Sequence, residues 1–361
     1  MWSRRSFERC VPTAFPNMPM RVALLPAIGE EIGLGHLQRC VTLARALHES
    51  GHRPVVIVDL PSGGVSAAVR ALVPRDIGVA SAIEDAFEGF SDRPRAEWVV
   101  VDDYAADASS DRALRRFAER VLVLDDHASR VRDADLLLSQ ALTRTVEDYA
   151  DRVPDGCTIL VGPHHALVRP EFGSHVRAAT SDPTSSVVCK VFVAMGGTDA
   201  GNTLDRVLTA LARLAPEKRP VVHVMISTLS RAADRLDALL ERLPYECVVH
   251  RDLQDPVALM ADCDVAVTAG GMTSFELATL GVPSVIVPST PLEAEVARVL
   301  AQHAEMSVIE AEDPEWERAL LSALGSIGRH SRETGPRVFD GGGAGRVVRV
   351  MERMTETPDH D

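Results

Sequence analysis

At 361 residues, with 46% hydrophobic and 25% charged side chains, the chain has the composition of a folded protein large enough for two cores. Its 38 basic residues against 52 acidic ones leave a formal charge of -14, which excludes nonspecific nucleic-acid binding because no basic field exists to gather phosphates. A single nucleotide needs only one favourable turn and stays compatible with that charge.

No apolar run is long enough to be read as a transmembrane segment. Ser3-Arg4-Arg5-Ser6-Phe7 has the look of a twin-arginine signal, but Cys10 to Pro19 carries three prolines and an asparagine where an apolar run should follow. Residues 1–19 therefore read as a disordered extension, and the expected location is cytoplasmic. The six cysteines lack C-x-x-C spacing, and Cys40, Cys189, Cys247 and Cys263 sit in or beside apolar segments, so buried free thiols are expected.

The first strand is Val22 to Leu25. Leu37, Cys40, Val41, Ala44 and Leu47 then recur at helical spacing, which puts Gly33 and Gly35 in the strand-to-helix turn and His36 at the helix start. Backbone N–H groups there lack intrahelical partners and can receive an anion. Further strands are read at Val55 to Val58, Trp98 to Val101, Val121 to Leu124, Leu136 to Leu138 and Thr158 to Val161, with helical spans at Ala67 to Val73 and Leu114 to Phe117. Ile77 to Ala86 reads as a short strand and the next helix start. After Ser181-Asp182-Pro183-Thr184-Ser185-Ser186, a linker, a second series begins. Its strands are Val187 to Ala194, Val221 to Ile226, Val248-Val249, Val265 to Thr268 and Pro283 to Val287. Its helices are Leu204 to Leu214, a span ending at Leu240, Pro256 to Ala261, Phe275 to Thr279, Glu293 to Ala301 and a closing helix over Val347 to Met354. Strands separated by helices predict parallel crossover units, an α/β class. The division is an extension over 1–19, an α/β domain over 20–173, a linker over 174–186, a second, nucleotide-binding α/β domain over 187–334, and a closing helix and tail over 335–361, with a cleft between the domains.

Taken in order, the motifs Gly33-Leu34-Gly35-His36-Leu37-Gln38-Arg39-Cys40, Val101-Asp102-Asp103-Tyr104, Leu124-Asp125-Asp126, Gly162 to Phe172, Gly196-Gly197-Thr198-Asp199, Ala269 to Glu276 and Asp340 to Arg346 resemble the UDP-sugar hydrolase family of pseudaminic-acid biosynthesis. That family has a GT-B-like fold of two Rossmann-like α/β domains and is related to the GlcNAc transferase of peptidoglycan synthesis. The resemblance implies attack by water at the anomeric carbon of a UDP-linked diacetamido sugar, with release of UDP and a free sugar. It needs no cofactor and no metal, and assigns the activation of water to His36.

The residues are compatible with that chemistry. Imidazole, with an ordinary pKa of about 6.5, accepts a proton from water near neutral pH; the bland alternative is that His36 caps its helix. Tyr104 either holds the sugar or fills the edge of the site. Gly35, Arg39, Asp103, His165 and Arg169 are the remaining candidates on the substrate side, and Arg169 with Glu171 is expected to brace its turn as an ion pair. On the nucleotide side, Gly270 and Gly271 allow close backbone approach, and with Met272, Thr273 and Ser274 they offer donors to departing UDP. Gly196, Gly197 and Thr198 frame the opposite wall. By resemblance Glu276 reaches the ribose, although a surface glutamate is the simple alternative, and Arg251 lines the base pocket or points to solvent. The acidic doublets Asp102-Asp103 and Asp125-Asp126 are read as ordinary strand-end residues rather than a metal site.

Three positions depart from the family. Thr290 to Glu295 stands where it has an Asn-Gln pair, Phe275 replaces a tryptophan, and His165 replaces a tyrosine. The two rival readings are a GT-B glycosyltransferase with a UDP-sugar donor and a nucleotide-sugar-binding protein without turnover. Oligomeric state is open.

Overall fold

The computed structural model describes residues 18–29, 32, 34–58, 67–87, 95–175, 188–196, 199, 202–228, 230, 232–327 and 338–356. Most of the expected extension and joint lies outside these residues, as do Gly33, Gly197 and Thr198.

Seven strands, β1 (Arg21–Pro26), β2 (Arg53–Ile57), β3 (Gly78–Ala80), β4 (Ala96–Asp102), β5 (Ala118–Leu124), β6 (Leu136–Ser139) and β7 (Thr158–Val161), form a wholly parallel sheet in the order β3-β2-β1-β4-β5-β6-β7. Helices α1 (Gly35–Glu49), α2 (Ala67–Leu72), α3 (Ala108–Leu114) and α4 (Pro170–Ser174) belong to this half of the chain. The second sheet takes β8 (Lys190–Ala194), β9 (Val221–Ile226), β10 (Cys247–Arg251), β11 (Val265–Thr268), β12 (Ser284–Ile286) and β13 (Met306–Val308) in the order β10-β9-β8-β11-β12-β13, also parallel. With it come α5 (Thr203–Leu211), α6 (Ala233–Leu240), α7 (Val257–Asp262), α8 (Met272–Leu280), α9 (Pro291–His303) and α10 (Trp316–Ile327), followed by α11 (Gly343–Glu356). Two parallel sheets, each flanked by helices, make the paired α/β architecture expected of a GT-B-like chain.

Successive strand residues feed opposite cores. Val22, Leu24, Trp98 and Val100 enter one core of the first sheet, whereas Ala23, Val99 and Val101 enter the other. Val191, Val193, Val265 and Val267 oppose Phe192, Ala194 and Ala266 in the same way. Because both faces are covered, the strands read as continuous apolar runs without polar alternation.

The chain passes between the sheets twice. On the way out, Ala166, Val168 and Phe172 join the core that lies on the second sheet; on the way back Phe339 joins it and stacks on Phe275 at 4.6 Å. The two passages touch backbone to backbone, so that a Cβ added at Gly173 would overlap the Asp340 carbonyl and one at Gly343 would overlap that of Ala166. Helix α11 then lies on α1, and its Ala344, Val347, Val348 and Met351 enter the first-sheet core beside Leu37, Leu43 and Leu47. Trp98 Nε1 donates to Thr355 Oγ1 at 2.8 Å, and His52 Nε2 meets Glu352 at 3.0 Å. Gly173→Ala is expected to lose about 2 kcal/mol of stability, since the side chain has no space to enter. The loss should show as a lower urea midpoint; an unchanged midpoint would mean that the passages part freely.

The structure corrects several expectations. The helix expected over Leu114 to Phe117 lies earlier, as α3 over Ala108–Leu114, where Asp107 caps its start through Ser109 and Ser110. Strand β13 and helix α10 were not anticipated. Cys40 and Cys263 are buried, but Cys189 is exposed and Cys247 half-buried. Among the described residues no helix is long and apolar enough to cross a membrane.

Candidate functional site

In the first sheet the strand order reverses between β1 and β4, and in the second between β8 and β11. The crevice at such a switch point, beyond the carboxyl ends of the strands, is where this sheet type receives ligands. The turn from β1 into α1 and the end of β4 meet at the first. His36 stands in the opening turn of α1, its side chain 11% exposed, and Nδ1 lies 2.6 Å from Oδ1 of Asp102, the wholly buried last residue of β4. Arg39, one turn further along α1, donates through Nε to Asp102 Oδ2 at 2.9 Å and through its other nitrogens to Asp102 and Asp126. Burial pushes the Asp102 carboxyl up, but the Arg39 charge and then His36 outweigh it and hold the group below the ordinary carboxylate range. An ionised Asp102 makes Nδ1 the donor, so the Arg39 nitrogen 3.1 Å from Nδ1 is a neighbour and not a partner. In the neutral imidazole that tautomer leaves the lone pair on Nε2, the form a general base requires.

Tyr104 stands edge-on to His36, with ring centroids 4.6 Å apart, and edge-on to His127 at 4.2 Å. Its hydroxyl donates to Asp126 Oδ2 at 2.9 Å. Burial raises the phenol well above its usual range, with Arg39 opposing and Asp126 adding, so it stays protonated. Gly35 opens α1, where no side-chain cap is present. Asp103 accepts from the Ala105 N–H at 2.7 Å and shapes the turn after β4.

The second switch point carries the turn from β11 into α8. Gly270 has φ +106, and a Cβ there would press on Ile286 and Glu293 at 3.2 and 3.3 Å. Gly271 is the N-cap of α8, and no side chain caps it. Ser274 is committed, donating its hydroxyl to Gly271 O at 2.6 Å; Met272 and Thr273 are half-buried in the first turn. Neighbouring helix starts are filled. Asp107 caps α3, Thr290 caps α9, and Asp199 Oδ1 accepts from Thr203 and Leu204 at the start of α5 while Oδ2 pairs with Arg235. The turn at Gly196 thus already holds its own anion, whereas those of α1 and α8 keep their donors.

These two turns belong to one cleft. Glu276, wholly buried on α8, accepts at Oε1 from Gln38 Nε2 of α1 and from Arg169 Nε, each at 2.8 Å. Burial raises the Glu276 carboxyl and Arg169 opposes that rise. Gln140 Nε2 reaches Met272 Sδ at 3.1 Å. Arg169 therefore does not pair with Glu171, which meets Arg45 of α1 instead. The expected brace fails because residues two apart at a helix start point to different sides.

His165, half-buried against the start of α11, is pushed down by burial and keeps a buried Nδ1 without a partner. Arg251 is exposed at the end of β10 and pairs with Asp237 at 2.7 Å. Glu293 lies beside Gly270 and Gly271; its Oε2 accepts from the Ser289 N–H at 2.8 Å, and burial raises its carboxyl. Sequence reasoning missed Asp102 as the partner of His36, Asp126 as the acceptor for Arg39 and Tyr104, and Gln38 and Gln140 as cross-cleft contacts. The usable signal was an acidic residue closing a buried strand at the switch point. Among the described residues no three His, Cys, Asp or Glu side chains gather as a metal site. A surface hollow of about 590 Å³ beside α10 is remote from both turns, and its Arg213 and Arg318 are paired with Glu317 and Glu315.

No family model matches the chain. An uncharacterised protein of Methanocaldococcus jannaschii is 21% identical over 76% of this chain and 57% of its own length. The spore coat polysaccharide biosynthesis protein SpsG of Bacillus subtilis is 25% identical over 40% of this chain and 41% of its own. The chain thus spans about half the length of the curated relatives it matches. Among solved structures, the spinosyn rhamnosyltransferase SpnG complexed with thymidine diphosphate aligns with a TM-score of 0.57 and 18% identity over 92% of this chain and 100% of that one. MurG of Acinetobacter baumannii aligns at 0.56 and 17%, over 93% and 100%. The S. aureus MnaA–UDP structure aligns at 0.63 and 12%, over 95% and 98%. The fold shared with these structures is GT-B-like, two Rossmann-like α/β domains.

Proposed function

We propose that the chain transfers a sugar from a uridine diphosphate sugar to a hydroxyl group, with His36 as the base. The observation that carries this reading is the pair of His36 on α1 and Asp102 at the end of β4, set opposite the uncapped start of α8 across a cleft tied by Gln38 and Glu276. His36 Nε2 removes the proton of the incoming hydroxyl. Its oxygen forms the new bond to the anomeric carbon as the bond from that carbon to the diphosphate oxygen breaks, and the electron pair leaves with UDP. The N–H groups at Gly271 to Thr273 meet the charge that develops on the leaving diphosphate. Glu276 offers an acceptor to the ribose, and Tyr104 lends a ring face to the sugar.

Two of the structural neighbours are complexes with a pyrimidine nucleoside diphosphate, and one of them is a rhamnosyltransferase, which supports an acceptor alcohol as the source of the hydroxyl. The name of SpsG supports a place in surface-polysaccharide synthesis. A second reading makes water the acceptor and the product a free sugar, as in pseudaminic-acid biosynthesis. The motif series favours it, and so does the 11% exposure of the His36 side chain, which suits a small nucleophile. A panel of UDP-diacetamido and UDP-hexosamine sugars in isotopically labelled water, with and without alcohol acceptors, separates the two. Transfer to the alcohol with little label in sugar is the expected result; labelled free sugar without acceptor selects the second reading. Label in UDP would refute cleavage at the anomeric carbon, and no turnover with bound UDP would leave a binding protein.

A further inference from the structure

We propose that Gln38 is a positioning residue which, through Glu276, holds the nucleotide turn of α8 in register with the base on α1; this rests on the nucleotide-sugar reading above. Gln38 and Glu276 are 238 residues apart in the chain, yet Gln38 Nε2 donates to Glu276 Oε1 at 2.8 Å. Arg169 donates to the same oxygen through Nε at 2.8 Å, and a terminal nitrogen of its guanidinium also lies 2.8 Å from it as an ion pair. Oε2 accepts from none of the described residues and is the atom left for a ribose hydroxyl.

The two donors divide the work. Arg169 carries the charge that opposes the effect of burial on Glu276, and its other terminal nitrogen is anchored on Gln254 O at 2.9 Å. Gln38 is neutral, so its contribution is direction and distance. Its backbone is locked, with N–H donating to Leu34 O at 2.9 Å and C=O accepting from Thr42 Oγ1 at 2.8 Å. The amide is therefore a link between two rigid helix starts, and His36 sits two residues before it on the same turn. A nucleotide seated on Glu276 is held at a fixed distance from His36 as well as bound. Without the link Glu276 keeps Arg169 and the nucleotide still binds, but the reacting centres lose the restraint that makes their encounter unimolecular.

Gln38→Leu removes the amide with little change of volume, and Gln38→Lys restores a donor on a stem of sufficient reach. The Leu variant is expected to lose about tenfold in kcat, the scale of one hydrogen bond to a carboxylate, while UDP affinity by calorimetry stays within about threefold. The pH profile of kcat should keep its midpoint, and the Lys variant should recover most of the rate. Wild-type kcat in Gln38→Leu would overturn the proposal. So would a loss confined to UDP affinity and KM, which marks a plain binding contact, a moved pH midpoint, which marks a disturbed base, or a Lys variant as slow as the Leu variant, which marks lost packing. A wild-type chain that binds no UDP overturns the nucleotide reading and this one with it; UDP binding with undiminished Gln38→Leu turnover overturns this one alone.

Discussion

His36→Ala is expected to lower kcat by roughly two to four orders of magnitude, the usual contribution of a positioned general base. Nucleotide affinity should hardly move, because the proposed diphosphate donors and Glu276 lie on α8, across the cleft from the deleted ring. Stability should change little as well, since Asp102 keeps both contacts to Arg39 when the imidazole is removed. The three measurements are saturating kcat, calorimetric UDP affinity and a thermal melt. Wild-type turnover in a folded variant would remove His36 from the mechanism. A matched loss of UDP binding would instead place the imidazole at the nucleotide.

Asp102→Asn should be nearly as damaging to turnover and far more so to the fold. An asparagine can donate to Nδ1, which would put the remaining proton on Nε2 and abolish the base; a loss of about a hundredfold or more in kcat is expected. Arg39, 3% exposed, would keep Asp126 alone as a charged partner among the described residues. Breaking a buried ion pair by removing one member costs about 3–5 kcal/mol. Because the two residues act as a unit, the double variant His36→Ala/Asp102→Asn should be little slower than either single one. The sign of the pH effect follows from the depressed Asp102 carboxyl. Its stabilisation is present in full above the unfolded carboxylate value of about 3.9 and is lost as pH falls through the lower folded value. Urea midpoints of the wild type should therefore drop more steeply below about pH 4 than those of the Asn variant. Parallel slopes and equal midpoints would show that the pair contributes nothing.

The architecture was legible because both faces of each sheet are covered, which writes Val22 to Leu25, Val121 to Leu124 and Val265 to Thr268 as plain apolar runs between helical spans. His36 and the Gly270-Gly271 turn were legible for a related reason, since strand, glycine and helix follow one another directly in sequence. The carboxylates that hold His36 and Arg39 were not. A carboxylate at a strand end looks the same whether it shapes a turn, as Asp103 does, or orients an imidazole, as Asp102 does. The choice depends on strand order, which brings Arg39 to Asp102 and Asp126 across 63 and 87 residues. Gln38 looked like any polar residue on a helix because its partner is on α8, a helix of the other half of the chain. Strand β13, only three residues long, leaves almost no periodic trace, whereas Trp316, Leu320 and Leu324 carry a helical spacing that was there to be used.

The seat of α11 on α1 also has a consequence for how the chain comes into being. The last strand of the first sheet ends at Val161, but Val347, Val348 and Met351, which close one of its cores, belong to a helix that ends at Glu356. A ribosome adding about 5–20 residues per second needs roughly ten to forty seconds to cover that interval. Throughout it Leu37, Leu43, Leu47 and Trp98 have no lid, although everything else around them has been made. The half that emerges first is thus the half completed last, and its apolar flank under α11 is covered only after the second sheet has been made.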